Sequence, residues 1–165
     1  MVNIIVELSK YLIIICMAVY TYECFSVFGY RDEKIKKKIL RRQNKQMFAV
    51  HFMAYLVLYL KTDEIKMLVL YAIEVVMFAG VILLYTRIYP KVSRLIVNNM
   101  CMLLATGLII LARLSFNQSV KQCVIAAGAI LLSLAVPVII RRVKVLSDWT
   151  YIYGGIGIAA LLLVL

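Results

Sequence analysis

Residues 67–85 read MLVLYAIEVVMFAGVILLY, with Glu74 the one acidic or basic residue among them. A helix rises about 1.5 Å per residue and the hydrocarbon core of a bilayer is about 30 Å thick, so a span takes roughly 20 residues. This stretch therefore reads as a transmembrane helix. Working outward, further apolar runs occupy 11–28, 47–60, 95–112, 123–140 and 150–165. Together they predict an all-α fold, a polytopic transmembrane helical bundle of about six spans. The composition agrees: 65% of the 165 residues are hydrophobic, 16% are charged and the mean hydropathy is +0.96. Soluble domains run closer to half apolar and a quarter charged, which excludes that class. Two prolines and seven glycines exclude a linker-rich or low-complexity architecture.

Lys10 before the first apolar run resembles the start of a signal peptide, but the flank that follows favours a retained anchor. Within 31–46 stand Arg31, Lys34, Lys36, Lys37, Lys38, Arg41, Arg42 and Lys45 against only Asp32 and Glu33. Basic flanks of this kind stay cytoplasmic, which puts the amino terminus outside. The run at 47–60 is short for a span, and charge parity decides its status. If it crosses, fourteen of the nineteen Lys and Arg fall inside. If it does not, twelve do. The six-span arrangement obeys the positive-inside rule better, with Lys45 and Lys61 snorkelling to lengthen the short helix. It predicts inside loops at 31–46, 86–94 and 141–148, and outside loops at 61–66 and 113–121. The arrangement that follows is a membrane crossed several times, which the family resemblance set out below implies to be a bacterial plasma membrane.

Glu74 is the leading polar candidate, because a carboxylate in mid-span is costly unless it faces protein or water. One reading is a glutamate hydrogen-bonded against a neighbouring helix, near His51 on the adjacent run; the other is proton-relay or headgroup work. Glu23 can reach the basic segment, and Glu7 and Lys10 are one turn apart; both read as interfacial pairs. Asn98 and Asn99 open the fourth run and suit hydrogen bonding between helices. Small residues in the fifth run (Ala126, Ala127, Gly128, Ala129, Ser133) and the sixth (Gly154, Gly155, Gly157, Ala159, Ala160) predict a closely packed helix pair, and Pro137 a kink near the end of the fifth.

One histidine and cysteines scattered at 16, 24, 101 and 123 offer no metal-ligand spacing. No cofactor motif, nucleophile elbow or paired carboxylate is present, so neither a catalytic residue nor a cofactor is assigned. Segment 31–46 carries a net charge of +6 and places Ile35, Ile39 and Leu40 on one side of a possible helix. That suits an amphipathic surface segment whose Lys34, Lys36, Lys37, Lys38, Arg41, Arg42 and Lys45 engage anionic lipid. The patch lacks interleaved aromatics, which argues against nucleic acid as its partner.

From Met100 onward the chain resembles the opening of the SEDS family, the shape, elongation, division and sporulation proteins. The carriers are a helix with a Gly and a polar step (Gly107 to Ser115), an outer loop ending at Lys121 and Gln122, a second helix, a basic corner at Arg141 and Arg142, and a third Gly- and Leu-rich helix. The resemblance implies residues 95–165 as the first three helices of a SEDS-like membrane domain, behind an amino-terminal membrane extension over 1–94. It also implies peptidoglycan synthesis by polymerisation of lipid II with a class B penicillin-binding protein, in cell division or cell-shape control. That family's catalytic carboxylate and its Gly-Ala-x-Arg-Trp signature would follow Leu165, so these residues are expected to be a catalytically silent front portion. The alternative is a small non-catalytic membrane adaptor whose basic segment binds lipid or a partner. A transporter, for which only Glu74, His51, Asn98 and Asn99 supply polar groups, ranks last.

Overall fold

The computed structural model describes residues 2–142 and 150–164. Among them are six helices: α1 (Val2–Gly29), α2 (Glu33–Thr62), α3 (Ile65–Ile88), α4 (Arg94–Leu114), α5 (Phe116–Arg142) and α6 (Thr150–Val164). No strand occurs in the described residues. Four segments are long and apolar enough to cross a membrane: Ile4–Gly29, Ile65–Ile88, Arg94–Leu114 and Phe116–Ile139. α2 is long enough, but its first half is too charged to qualify alone. α6 has 15 residues.

The basic stretch expected as a loop is helix. Asp32 accepts the Lys34 backbone N–H at 2.8 Å and caps a helix that then runs unbroken for 30 residues. Lys, Arg, Gln, Leu and Ile are sound helix formers, and neither Gly nor Pro interrupts them. Its buried residues Ile39, Gln43, Met47, Val50, His51, Tyr55 and Leu58 fall three or four apart, which makes one continuous stripe. The amphipathic segment therefore does not lie flat as a separate piece. It is the first half of the central helix of the bundle.

α2 packs against α1, α3 and α4, and α3 packs against α4. Short connections make α1 to α4 run in alternate directions, so the end of α1, the start of α2, the end of α3 and the start of α4 share one end. At the other end the α2–α3 turn is tight. Asp63 adopts a left-handed conformation at φ 53° and its N–H donates to the Tyr59 carbonyl at 2.8 Å, a geometry that Asp tolerates better than most residues. Tyr55, Leu58, Leu70 and Ala112 pack beneath this turn, with Tyr71, Ile109 and Phe116 against them.

The expected outer loop at 113–121 is also helix. Only Ser115 separates α4 from α5, whose first turns hold Asn117 and Gln118. The described coordinates form two compact units, Met1–Ala126 and Ala127–Leu165. The first takes in α4, which packs on α2 and α3. In the second unit the glycines expected to bring α5 and α6 together have no close neighbour among the described residues. Gly128, Gly154, Gly155 and Gly157 have nothing near the position a Cβ would take. Pro137 lies inside α5, which continues to Arg142. Residues 143–149 of the expected basic corner lie outside the described residues.

The bundle is apolar outside and polar within. Ile14, Leu103 and Ile110 are 63%, 73% and 58% exposed, whereas Glu23, Gln43, His51, Glu74, Asn98 and Ser119 are buried. Water as solvent would favour the reverse. A hydrocarbon solvent favours this arrangement, because only there do polar side chains gain most by meeting one another. The chain is a helical membrane protein.

Candidate functional site

Two polar clusters occupy the first unit. The deeper one is built on α2 and α3. Their buried stripes bring His51 and Glu74 face to face, with Nε2 and Oε2 2.8 Å apart, and Tyr55, one turn beyond His51, donates its hydroxyl to Glu74 Oε1 at 2.8 Å. His51 and Glu74 are both 0% exposed. Each oxygen of the carboxylate thus has a partner, as burial demands. The imidazole is walled by Tyr55, Tyr71 and Phe78, with ring centroids 5.0, 5.1 and 5.4 Å away. Its Nδ1 is buried without a hydrogen-bond partner. Moving one proton between Nε2 and Oε2 interconverts an ion pair and an acid–imidazole pair, both neutral in total, so the cluster can hold a proton without placing net charge in the bilayer.

The second cluster lies at the shared end. Asn98 Nδ2 donates to the Leu40 carbonyl at 3.1 Å and to Gln43 Oε1 at 3.2 Å, which ties α4 to α2. Asn99 Oδ1 accepts from the Tyr20 hydroxyl at 2.9 Å and from Cys24 Sγ at 3.1 Å, which ties α4 to α1. Gln43 Nε2 reaches Cys24 Sγ at 3.6 Å and joins the two halves. Glu23, wholly buried, pairs with Arg42, whose side chain remains 61% exposed. The two asparagines face different neighbours because adjacent positions on a helix point about 100° apart.

At the same end Lys34, Lys37, Lys38, Arg41, Arg42 and Lys45 line one open groove along α2. Lys36 points elsewhere and pairs with Glu33 at 3.0 Å. Glu7 and Lys10 pair near the start of α1. Cys16, Cys24, Cys101 and Cys123 are free thiols, and no group of metal-ligating side chains forms among the described residues.

Comparison with family models, curated proteins and solved structures returns no match. The site must be read from its own chemistry. Sequence reasoning named Glu74, His51, Asn98, Asn99 and the basic residues, and missed Tyr20, Gln43, Tyr55 and Ser119. Tyr55 and Gln43 carried a signal, since both sit four residues from another stripe member. Ser119, which donates to the Leu108 carbonyl at 3.3 Å, had been placed in a loop.

Proposed function

We propose that this chain is a non-catalytic integral membrane protein that docks anionic lipid on the basic face of α2, with that end in the cytoplasmic leaflet of a bacterial plasma membrane and the amino terminus outside. The observation that carries it is the groove lined by Lys34, Lys37, Lys38, Arg41, Arg42 and Lys45. A helix of 30 residues is about 45 Å long, some 15 Å more than the hydrocarbon core. That surplus is the charged first third of α2, so these cations stand at headgroup depth, with Lys45 reaching outward from slightly deeper. Each Lys or Arg near an anionic surface contributes about 1 kcal/mol, and the attraction is screened by salt.

The test is lipid retention. The full chain, reconstituted with equal phosphatidylglycerol and phosphatidylcholine and then extracted, should hold phosphatidylglycerol preferentially by native mass spectrometry and lose the preference at high salt. Equal retention of the two lipids would overturn the reading. Orientation is tested by Lys91→Cys in a background with the four natural cysteines replaced. An impermeant maleimide should label it only after permeabilisation.

Front-portion membership of a SEDS-like, lipid II-polymerising protein stands second. Its support is the order α4, α5, α6 over residues 95–165, while the outer loop it implies before Lys121 is helix.

A further inference from the structure

A narrower cleft opens beside the basic groove, where three helices meet. Its walls are Leu40, Arg41 and Asn44 of α2, Ile82 and Thr86 of α3, and Arg94, Val97 and Asn98 of α4. We infer that this cleft is a binding site for a single phosphomonoester group, bounded by Arg41 and Arg94.

Arg41 and Arg94 converge on one small cleft from different helices, and neither takes part in the ion pairs among the described residues, which use Lys10, Lys36, Arg42 and His51. Both arginines line this cleft; guanidiniums brought to one space repel unless an anion lies between them, and their planar forks match phosphate oxygens two at a time. The basic groove outside, rich in lysines, provides diffuse charge. The cleft provides geometry.

The remaining polar atoms narrow the ligand further. The Thr86 hydroxyl donates to the Ile82 carbonyl at 2.7 Å, or to the Leu83 carbonyl at 3.1 Å, so its oxygen presents lone pairs. Asn98 Nδ2 is committed to Leu40 and Gln43. Asn44 Oδ1 is buried with no partner. That atom is closed off from the space, so besides the guanidiniums the cleft offers the Thr86 hydroxyl oxygen as an acceptor that wants a donor. A phosphomonoester has both parts, charged oxygens for the arginines and a P–OH for Thr86. A phosphodiester has no P–OH. The source is either the headgroup of a monoester lipid or free phosphate, and the lipid source rests on the docking reading above.

The experiment titrates the full chain in nonionic detergent by calorimetry. The probes are short-chain phosphatidic acid, phosphatidylglycerol, phosphatidylcholine and inorganic phosphate. Phosphatidic acid should bind at least tenfold more tightly than phosphatidylglycerol. Arg94→Gln should weaken phosphatidic acid at least tenfold, whereas Lys34→Gln, outside the cleft, should weaken both anionic lipids alike and by less than threefold. Thr86→Val, close in shape to the native residue, should reduce the preference for phosphatidic acid over phosphatidylglycerol and guards against misfolding of Arg94→Gln. Inorganic phosphate binding as tightly as phosphatidic acid would support the site and assign it to the free ion. Equal binding of phosphatidic acid and phosphatidylglycerol, or equal effects of Arg94→Gln and Lys34→Gln, overturns the inference while docking stands. Phosphatidylcholine matching both anionic lipids overturns the docking reading instead.

Discussion

Glu74 Oε2 and His51 Nε2 lie 2.8 Å apart on neighbouring helices, with neither side chain open to the surface. Removing one partner strands the other in a medium that cannot solvate it. Glu74→Gln keeps an acceptor for the Tyr55 hydroxyl and offers an amide N–H to the imidazole. It should melt close to the parent in detergent. Glu74→Ala orphans both the imidazole and the phenol and should cost on the order of 3 kcal/mol. Equal stability of the Ala and Gln variants would show that the pair does not hold α2 to α3.

Phe78 is fully buried and stands edge-on to the His51 ring, at an interplanar angle of 87°. Phe78→Ala leaves a cavity beside the imidazole and should destabilise by about 3 kcal/mol, with Phe78→Leu costing less. Thermal unfolding in micelles reads both. A Phe78→Ala midpoint unchanged from the parent would mean that lipid or detergent fills the space.

Asn98 and Gln43 should behave as one unit. Each single change to Ala is expected to cost about 0.6 to 2 kcal/mol, the range for hydrogen bonds between helices in lipid. The double variant should cost less than the sum, because the same bond is lost in both. Strict additivity in a double-mutant cycle would show that the contact carries no energy.

The Glu23–Arg42 pair should be asymmetric. Glu23 is buried whereas the Arg42 side chain is largely exposed. Arg42→Gln abandons a carboxylate inside the bundle. Glu23→Gln leaves a guanidinium that can turn outward to the headgroups. The Arg42 variant is therefore expected to lose more stability, by at least about 1 kcal/mol, in unfolding measured at equal lipid and salt. The opposite order would place Glu23 in contact with water.

The helices were legible in the sequence because runs of apolar residues near the length of a bilayer leave few alternatives, and the nearness of Glu74 to His51 followed from the cost of a lone carboxylate in lipid. What was misread lay in the charged segments. Lys and Arg at 31–46 read as an inside loop or a separate amphipathic helix lying on the leaflet, yet Asp32 as a cap and the absence of Gly and Pro carry one helix straight on into the apolar run. The stretch 113–121, expected as an outer loop for its polarity, is helix on either side of Ser115. The partners of the two asparagines were hidden differently. Tyr20 and Cys24 are ordinary members of an apolar run until α4 is laid against them, and that register is a tertiary fact. The small residues of α5 and α6 permit close approach without requiring it.

The continuity of α2 bears on how the chain enters a membrane. A segment whose first half is strongly basic and whose apolar half, 47–60, spans only about 21 Å is a poor substrate for insertion by itself. His51 and Tyr55 find their carboxylate partner only after α3 has been made, and Gln43 meets Asn98 only after α4, since Glu74 and Asn98 lie downstream. Biogenesis must therefore be cooperative. Insertion of α2 is expected to depend on α3 and α4, which supply the hydrogen bonds that lipid cannot.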